Sequence, residues 1–378
     1  MATEPPWEMN QCISLAIKIT PCILQNGWKE IDHARISKLK DRISDVANAD
    51  EWEIRKKITN PYEAIFSGED TYPSIAKVQP LSRSYFKMIE MLGLIGFFNE
   101  VAASTESTGP FISAHICEGP GGFIQHVVEA LAERNIATKG VYAMTLKPTK
   151  SHIPGWRRSI HFLKKYPKIK LEYGADDTGN ILNPANQEDF CRKAKGAQLF
   201  TADGGFDFSV NYTNQELMAF PLVVASFLMG LKTLEKGGTM IIKLFDIYSR
   251  ATQDLFLGSG TFFEKFTLYK PATSRPCNSE RYFIGHRYRG DSQELQDWIK
   301  TLESALKKHE QSPITQLVQN EWPPAILRAV KEQILYQEQL QIKNIEDTLN
   351  LDKETIADRI LQNIRLSKAW CRAFGVRH

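Results

Sequence analysis

The sequence predicts an α/β protein in which a doubly wound, mostly parallel sheet of seven strands carries helical N-terminal and C-terminal extensions. Short apolar runs alternate with helical patterns between residues 111 and 245, which is typical of parallel strands joined by crossover helices. Two further apolar runs, 262–269 and 280–288, follow each other with no helix between them. We therefore expect them to form an antiparallel edge. Beyond residue 291 only helical periods recur.

The predicted elements divide the chain into three parts: a helical or irregular region at 1–80, an α/β domain at 81–290 and a helical extension at 291–378. Strands are expected at 111–116, 140–146, 169–173, 197–202, 239–245, 262–269 and 280–288. Helices are expected at 36–52, 81–104, 122–134, 214–234, 295–307, 324–345 and 353–374.

Composition excludes several classes of protein. The net charge is +3 over 378 residues, so binding of nucleic acid needs a local basic patch. The six cysteines form no CxxC pair, which argues against a zinc site and indicates free thiols in a reducing compartment. The start of the chain is interrupted by Pro5, Pro6 and Glu8, and no apolar run reaches membrane-spanning length. We expect a soluble intracellular protein of the nucleus or cytoplasm, or of the host cytoplasm or virion if its source is viral.

A glycine-rich turn lies between the first predicted strand and the next helix, in the stretch HICEGPGGF. Glycine lets the backbone approach a ligand closely, and the N-terminus of a helix offers unpaired N–H groups. The candidate cofactor-binding residues of this turn are Glu118, Gly119, Pro120, Gly121, Gly122 and Phe123. The same turn also opens many ordinary α/β units, so by itself it leaves ligand binding open.

Lys243 is the strongest oddity in the sequence, because it interrupts an apolar strand between Ile242 and Leu244. A lysine there is unfavourable unless it is paired or faces a polar cleft, so we favour a functional role. Asp203 ends the strand that we expect beside it. Lys87, on the helix before the first strand, and Glu280, at the start of the last strand, supply one further charge of each sign. Ligands of doubly wound sheets bind at the carboxyl ends of the strands.

Residues 147–170 form a basic stretch interleaved with aromatic side chains, which includes Lys150, Arg157 and Arg158. Such a stretch suits a phosphate backbone with stackable bases, although a solvated helix is the plain alternative. We favour nucleic acid, because so much positive charge is clustered in a nearly neutral protein. Asp176, in a polar loop after the third strand, is either a contact for a nucleotide-like ligand or a turn residue.

Five motifs in one order, between residues 82 and 288, carry a family resemblance: SRSYFKMIE, CEGPGGF, TADGGFD, GGTMIIKLF and ATSRPCNSERY. The chain resembles the FtsJ-like family of S-adenosylmethionine-dependent RNA ribose 2′-O-methyltransferases, which have a Rossmann-like fold. Within that family it is most similar to the mRNA cap enzymes of eukaryotes and large DNA viruses. The resemblance implies a catalytic tetrad of Lys87, Asp203, Lys243 and Glu280. The resemblance does not cover the helical extension at 291–378, the tail of the chain.

The resemblance also implies roles for individual residues. Lys243 would be the base or the orienting group for the ribose hydroxyl, with Asp203 as its partner near the methyl donor and with Lys87 and Glu280 in positioning roles. S-adenosylmethionine would lie over Gly119–Phe123, with its adenosine end toward Asp176 or Asp177, and no metal is expected. Capped mRNA would cross the basic stretch and the loop of Arg275. A partner from the capping or transcription machinery would contact the N-terminal region or the tail.

Three rival interpretations stay open or are disfavoured. The same chemistry on ribosomal or transfer RNA stays open as an alternative, although the motifs resemble the bacterial ribosomal enzymes less than the cap enzymes. A non-catalytic RNA-binding subunit is supported only by His115, which stands where many family members carry an acidic residue, while Glu118 could replace that contact. A nicotinamide dehydrogenase needs GxGxxG and a carboxylate at the end of the second strand, and this chain has GPGG and Met144-Thr145-Leu146. A cap-guanine pocket would need a stacking ring, for which Trp156, Tyr212 and Tyr248 are candidates.

Overall fold

The computed structural model describes residues 13, 15, 18–25, 29–45, 49–67, 72–148, 155–205 and 215–378. These residues form a seven-stranded sheet and a separate two-stranded sheet. In chain order the strands are β1 (Pro21–Leu24), β2 (Phe111–Ile116), β3 (Thr138–Met144), β4 (Ile169–Glu172), β5 (Ala197–Ala202), β6 (Leu234–Leu244), β7 (Phe263–Tyr269), β8 (Arg281–Tyr288) and β9 (Gln316–Val318).

The large sheet has the strand order β4-β3-β2-β5-β6-β8-β7. Strands β2 to β6 pair in parallel, whereas β8 pairs antiparallel with both β6 and β7. This confirms the α/β fold class, the mostly parallel sheet and the antiparallel pairing of the last two strands. The outer strand of that pair is β7, since β8 lies between β6 and β7. Leu244 therefore pairs with Arg281, which brings the start of β8 to the carboxyl end of β6.

The described residues form twelve α-helices, some of which cover the two faces of the large sheet. They are α1 (Ala34–Asp41), α2 (Ala49–Ile58), α3 (Ser84–Leu94), α4 (Phe97–Thr108), α5 (Gly122–Glu133), α6 (Ile160–Lys165), α7 (Pro184–Lys193), α8 (Gln215–Thr233), α9 (Arg250–Gly260), α10 (Gln293–His309), α11 (Pro324–Leu349) and α12 (Ile356–Ala373). On one face α3, α4 and α5 pack against β5, β6 and β8, and on the other α8 and α9 pack against the same strands.

Two helices that the sequence predicted to be continuous are each divided in the structure, so these two predictions are wrong. The expected helix at 81–104 is divided into α3 and α4, because Gly96 adopts a left-handed backbone with φ of 65°. The expected helix at 36–52 is likewise divided, with α1 continuing into a 3-10 turn at Arg42–Asp45 before α2 begins. Both breaks follow hydrophobic periodicity that runs across the boundary, which is why the pattern alone predicted one helix.

Helix α8 is long and apolar enough to cross a membrane by length and composition. Two thirds of its most apolar stretch is nevertheless buried inside the fold. Phe227 and Met229 of this helix lie in the same core as Met240 and Ile242 of β6. Its apolar character is therefore explained by packing between the sheet and its neighbouring helices.

The tail contains one strand that the sequence did not predict. Strand β9 pairs antiparallel with β1, so the small sheet joins a segment that precedes the large sheet in the chain to one that follows it. The tail helices also contribute to the central packing: Ile334 and Ile345 of α11 belong to the same core as Ile242. The division of the chain into three domains stays a prediction.

Helix α12 is attached to α3 through a buried tryptophan. The Trp370 indole is fully buried, packs edge-on against Phe86 and donates its Nε1–H to Glu90 at 3.0 Å. Phe86 and Glu90 flank Lys87 on α3, so this contact joins the tail to the helix that carries one of the predicted site residues.

We expect Trp370→Ala to lower the free energy of unfolding by about 3–5 kcal/mol, because it empties a large buried volume and removes a donor from a buried carboxylate. Urea unfolding followed by tryptophan fluorescence and circular dichroism measures this loss. Leu361→Ala, at a position on the same helix that is 55% exposed, is the matched control and should change stability by less than about 0.5 kcal/mol. Equal effects of the two substitutions would contradict this account of the tail.

Candidate active site

The predicted tetrad assembles as two ion pairs at the carboxyl edge of the sheet. Lys243, the penultimate residue of β6, places its Nζ 3.3 Å from Oδ1 of Asp203. The same ammonium donates to the Asp203 backbone carbonyl at 2.9 Å. Asp203 directly follows β5, and β5 is the parallel neighbour of β6. The register of the two strands thus brings these side chains together, as the sequence predicted.

The second pair joins α3 to the start of β8. Nζ of Lys87 lies 2.6 Å from Oε1 of Glu280, and both side chains are only 13–14% exposed. Glu280 immediately precedes β8, so the antiparallel insertion of this strand beside β6 delivers it to the site. A sheet ordered simply by sequence would have placed Glu280 one strand farther from Lys243.

Two members of the tetrad, Lys243 and Glu280, have pKa values that are shifted by their oppositely charged neighbours. Burial of Lys243 is the largest influence and disfavours its charged form, but the attraction of Asp203 and Glu280 outweighs it and raises the lysine pKa. Burial likewise disfavours ionisation of Glu280, yet Lys87 and Lys243 lower the pKa of its carboxyl to about 2. Lys243 is therefore protonated in this structure. The sequence left the sign of this shift open.

Tyr282 is a site residue that the sequence analysis missed. Its hydroxyl donates to Oδ1 of Asp203 at 2.9 Å, which is the carboxylate oxygen that also faces Lys243. The ring is fully buried and packs against Phe123 of the glycine turn. Its position two residues after Glu280, on the same face of β8, is the signal that would have identified it.

The glycine turn is shaped by close backbone contacts. Gly121 has a φ of 107°, a left-handed conformation that other residues rarely adopt. A Cβ on Gly122 would lie 2.2 Å from Oγ of Ser84, so a glycine is required where α5 begins beside the start of α3. This contact fixes the N-terminus of α5 close to the helix that carries Lys87.

Glu118 is a buried carboxylate with no regular hydrogen-bond partner among the described residues. Burial, and after it the charge of Asp203, raises the pKa of its carboxyl well above the ordinary value. The backbone N–H of Phe123 favours the ionised form to a smaller extent. Unpaired buried carboxylate oxygens beside a glycine turn are typical of a site that receives a polar ligand. The role of Glu118 and its neighbours in binding a cofactor stays a prediction.

His115 is the penultimate residue of β2. It lies inside the sheet, where its ring nitrogens meet Oγ1 of Thr201 at 2.8 Å and Oγ of Ser113 at 2.9 Å. Burial lowers the pKa of the imidazole to about 3, so the ring is neutral. His115 is thus a satisfied core residue, and its presence gives no support to a non-catalytic role.

Asp176 is engaged by its own loop. Its carboxylate accepts hydrogen bonds from the side chains of Thr178, Asn183 and Asn186 and from the backbone N–H of Thr178. These bonds, led by those of Thr178 and Asn186, lower the pKa of the carboxyl to about 2. Asp176 stabilises the conformation of its loop through these bonds. Its contact with an adenosine stays a prediction.

The middle of the basic stretch lies against the glycine turn. Arg157 and Arg158 form an exposed 3-10 turn with Ser159, whose hydroxyl donates to the Pro120 carbonyl. The two arginines thus lie close in the chain to a contact with the candidate cofactor turn, and neither makes an ion pair with a described residue. Lys150 lies outside the described residues. The RNA-binding role of all three stays a prediction.

Arg275 is placed differently from what an RNA contact requires. Its guanidinium forms a two-pronged ion pair with Glu63, at 3.1 Å from Nε and 2.9 Å from a terminal nitrogen. Glu63 is fully buried and Arg275 is 19% exposed, so the arginine joins the N-terminal region to the β7–β8 loop. Its charge is already neutralised in this structure, which leaves contact with RNA as an untested prediction.

Two of the three candidate stacking rings are not available for a ligand. Trp156 is 7% exposed and lies over Gly121, and Tyr248 is 2% exposed and stacked on His33 with ring centres 4.4 Å apart. Tyr212 lies outside the described residues.

Comparison with known proteins identifies the relatives of this chain. The family model described as FtsJ-like methyltransferase matches residues 80–288. A Dictyostelium discoideum protein named cap-specific mRNA (nucleoside-2′-O-)-methyltransferase 1 is 30% identical over 308 residues, which are 76% of this chain and 39% of that protein. Proteins of the same name from Trypanosoma cruzi and Homo sapiens are 31% and 32% identical over 54% and 49% of this chain.

The relatives are longer than the region they share with this chain. The matched segments span 39% of the Dictyostelium protein, 55% of the Trypanosoma cruzi protein and 22% of the human protein. The family model covers the region that bears the tetrad and the glycine turn. The matches to the relatives leave large parts of those proteins uncovered.

The ionised state of Glu280 should be visible in the pH dependence of stability. Because folding lowers its pKa from 4.5 to about 2, ionised Glu280 stabilises the fold at neutral pH, and this contribution is lost as the pH falls through about 2. We expect the stability deficit of Glu280→Gln to shrink by about 2 kcal/mol between pH 7 and pH 3. Urea unfolding at several pH values measures it. Glu133→Gln, at a side chain that is 77% exposed, is the control. A deficit that is constant with pH would refute the assignment.

Proposed function

Because this chain belongs to the FtsJ-like methyltransferase family, we propose that it transfers a methyl group from S-adenosylmethionine to a ribose 2′-hydroxyl of RNA, at a cap-proximal nucleotide of mRNA. The observation that carries the proposal is the pairing of Lys243 with Asp203, beside the pairing of Lys87 with Glu280, at one end of strand β6. The names of the cap-specific relatives support the choice of substrate.

The residues around the glycine turn fit the proposed cofactor. The turn brings the N-terminus of α5 to the same edge as the tetrad, and the unpaired Glu118 carboxylate offers two acceptors for the hydroxyl or ammonium groups of a ligand. When bound, S-adenosylmethionine supplies the methyl group on a sulfonium cation, whose charge opposes the protonated form of a nearby lysine. No described group of His, Cys, Asp or Glu side chains has the arrangement of a metal site.

Lys243 is the residue that handles the ribose hydroxyl in this proposal. In its protonated form it orients the hydroxyl oxygen, which accepts a hydrogen bond from the ammonium. To act as the base it must first release its own proton, since its pKa is raised by Asp203 and Glu280. A methyl transfer needs nucleophile, methyl carbon and leaving group in line, so orientation by a fixed lysine contributes to the rate in either form.

The other three tetrad members and Tyr282 hold Lys243 in place. Asp203 fixes its ammonium by a side-chain and a backbone contact, and the Tyr282 hydroxyl restrains the Asp203 carboxylate. Lys87 forms an ion pair with Glu280 and balances the negative charge of that carboxylate.

The experiment that separates the substrate classes compares short transcripts. The protein is incubated with labelled S-adenosylmethionine and with one RNA sequence carrying a methylated guanosine cap, an unmethylated cap or a 5′-triphosphate. We expect methylation of the capped forms, mapped by nuclease digestion to a nucleotide next to the cap. Methylation only of ribosomal or transfer RNA would move the function to that class, and cofactor binding without any transfer would favour a non-catalytic subunit.

Lys243→Ala should reduce the rate of methyl transfer by at least ~100-fold, because it removes the group that orients or deprotonates the nucleophile. Binding of S-adenosylmethionine, measured by calorimetry, should persist. Lys236→Ala is the matched control, since Lys236 lies in the same strand and is exposed at its other end. Undiminished transfer by Lys243→Ala would refute the assignment.

The exposed arginines of the basic stretch should contribute to RNA affinity through phosphate contacts. For Arg157→Ala combined with Arg158→Ala we expect weaker RNA binding, and a plot of log affinity against log salt whose slope is smaller in magnitude by about 1–2. Fluorescence anisotropy at several salt concentrations measures this slope. Arg328→Ala combined with Lys331→Ala, which removes the same charge from an exposed face of α11, is the control. Identical slopes for the two double variants would contradict the prediction.

A further inference from the structure

The loop between β7 and β8, residues 270–280, begins with a lysine that closes the loop on itself. Nζ of Lys270 donates to the backbone carbonyl of Asn278 at 2.7 Å and to that of Glu280 at 2.9 Å. The last residue of the loop is Glu280, the tetrad carboxylate that pairs with Lys87. The Lys270 ammonium therefore bonds directly to the backbone of Glu280.

The outer part of the same loop is fixed from another direction. The buried Glu90 carboxylate of α3 accepts the backbone N–H groups of Ala272 at 2.6 Å and of Thr273 at 3.3 Å. Glu90 lies one helical turn after Lys87. Helix α3 thus anchors the first residues of the loop, whereas Lys270 anchors its last ones. Lys270 supplies two backbone contacts to the segment around Glu280, in which the Ser279 hydroxyl also accepts hydrogen bonds from Lys40 at 2.9 Å and from Gln341 at 3.3 Å.

The electrostatic surroundings tie Lys270 to the tetrad. Burial lowers the pKa of its ammonium to about 8, with Arg281 and Lys87 acting in the same direction and Glu280 and Cys277 acting against it. Its charge in turn is one of the influences that hold the pKa of Glu280 low. Lys270 is the fifth charged group of this cluster, although its hydrogen bonds are made to carbonyl oxygens.

One side of Lys270 borders a cavity of about 1230 Å³ between the loop and the tail helices. The charged residues that line the far side of this cavity are Glu332, Lys343 and Asp347 of α11 and Arg359 of α12. Arg359 is bonded to Asp347 at 2.6 Å, so this pair is internally balanced. The remaining charges, Glu332 and Lys343, have opposite signs. The groups whose charges shift the pKa of Lys270 are instead Glu280, Arg281, Cys277 and Lys87.

We propose that Lys270 is a positioning residue for methyl transfer, which sets the backbone of Glu280 and, through Glu280, the ammonium of Lys87. The inference rests on the proposed function of the tetrad. Lys270 acts through its two carbonyl contacts and does not touch the reacting atoms. Its loss removes the two contacts to the backbone carbonyls of Asn278 and Glu280 and leaves the contacts that Lys40 and Gln341 make to the Ser279 hydroxyl.

The test compares three variants of the full chain. Lys270→Met keeps the length of the side chain and removes the donor, and Lys270→Arg keeps a cationic donor. Lys265→Met, at an exposed position of the preceding strand β7, is the control. For Lys270→Met we expect kcat to fall at least ~10-fold with KM for both substrates changed less than ~3-fold, because orientation is lost while binding surfaces remain. Lys270→Arg should restore most of kcat, and Lys265→Met should match the wild type.

Hydrogen exchange gives a second readout that does not depend on activity. In Lys270→Met we expect faster exchange of the backbone amides at 278–281, with no change in helix α5 or strand β2. If the wild type transfers no methyl group, the proposed function fails, and this measurement still decides whether Lys270 orders the Glu280 segment. Unchanged exchange in that segment would overturn the inference even if the enzyme is active.

The pH profile separates this role from simple packing. With a pKa of about 8, Lys270 loses its charge in mildly alkaline solution, and a neutral amine is a weaker donor to the two carbonyls. We expect exchange at 278–281 in the wild type to rise relative to the rest of the protein above about pH 8. Lys270→Arg, which stays charged, should remove this rise. An equal rise in both proteins, or a kcat of Lys270→Met above half of the wild-type value, would refute the proposal.

Discussion

The structure depends on keeping a lysine ammonium charged at the end of a buried strand. Lys243 loses much of its hydration there, and burial alone would lower the pKa of its ammonium. Asp203 on the neighbouring strand and Glu280 at the start of the inserted strand reverse that tendency. The insertion of β8 between β6 and β7 places Glu280 at the carboxyl end of β6.

A second buried carboxylate organises what surrounds the tetrad. Glu90 accepts five hydrogen bonds, which come from Tyr269, Ala272, Thr273 (twice) and Trp370. These donors belong to strand β7, to the loop that carries Glu280 and to the C-terminal helix. Burial raises the pKa of Glu90, while its hydrogen bonds favour the ionised form. One side chain on the helix of Lys87 therefore connects the active-site loop to the tail.

Two acidic side chains of the site, Glu280 and Glu118, have pKa values that are shifted in opposite directions. Lys87 and Lys243 hold the pKa of Glu280 low, whereas burial and the charge of Asp203 raise that of Glu118. Glu280 forms an ion pair with Lys87 at 2.6 Å, whereas no described residue forms an ion pair or a regular hydrogen bond with the Glu118 carboxyl beside the glycine turn. This difference separates residues that maintain the site from residues that are free to receive a ligand, and it follows from the position of the two lysines.

The sequence by itself determined the fold class, the bounds of most strands and the four charged residues of the tetrad, since these are recorded in local periodicity and in motifs of fixed order. The break at Gly96 was not predictable, because hydrophobic spacing continues across it. The tertiary structure decided which charges are partnered: His115 became a core residue, Arg275 paired with Glu63, and Tyr282 and Lys270 joined the tetrad. These outcomes depend on contacts between residues far apart in the chain, and neither periodicity nor motif spacing records the distance between such residues.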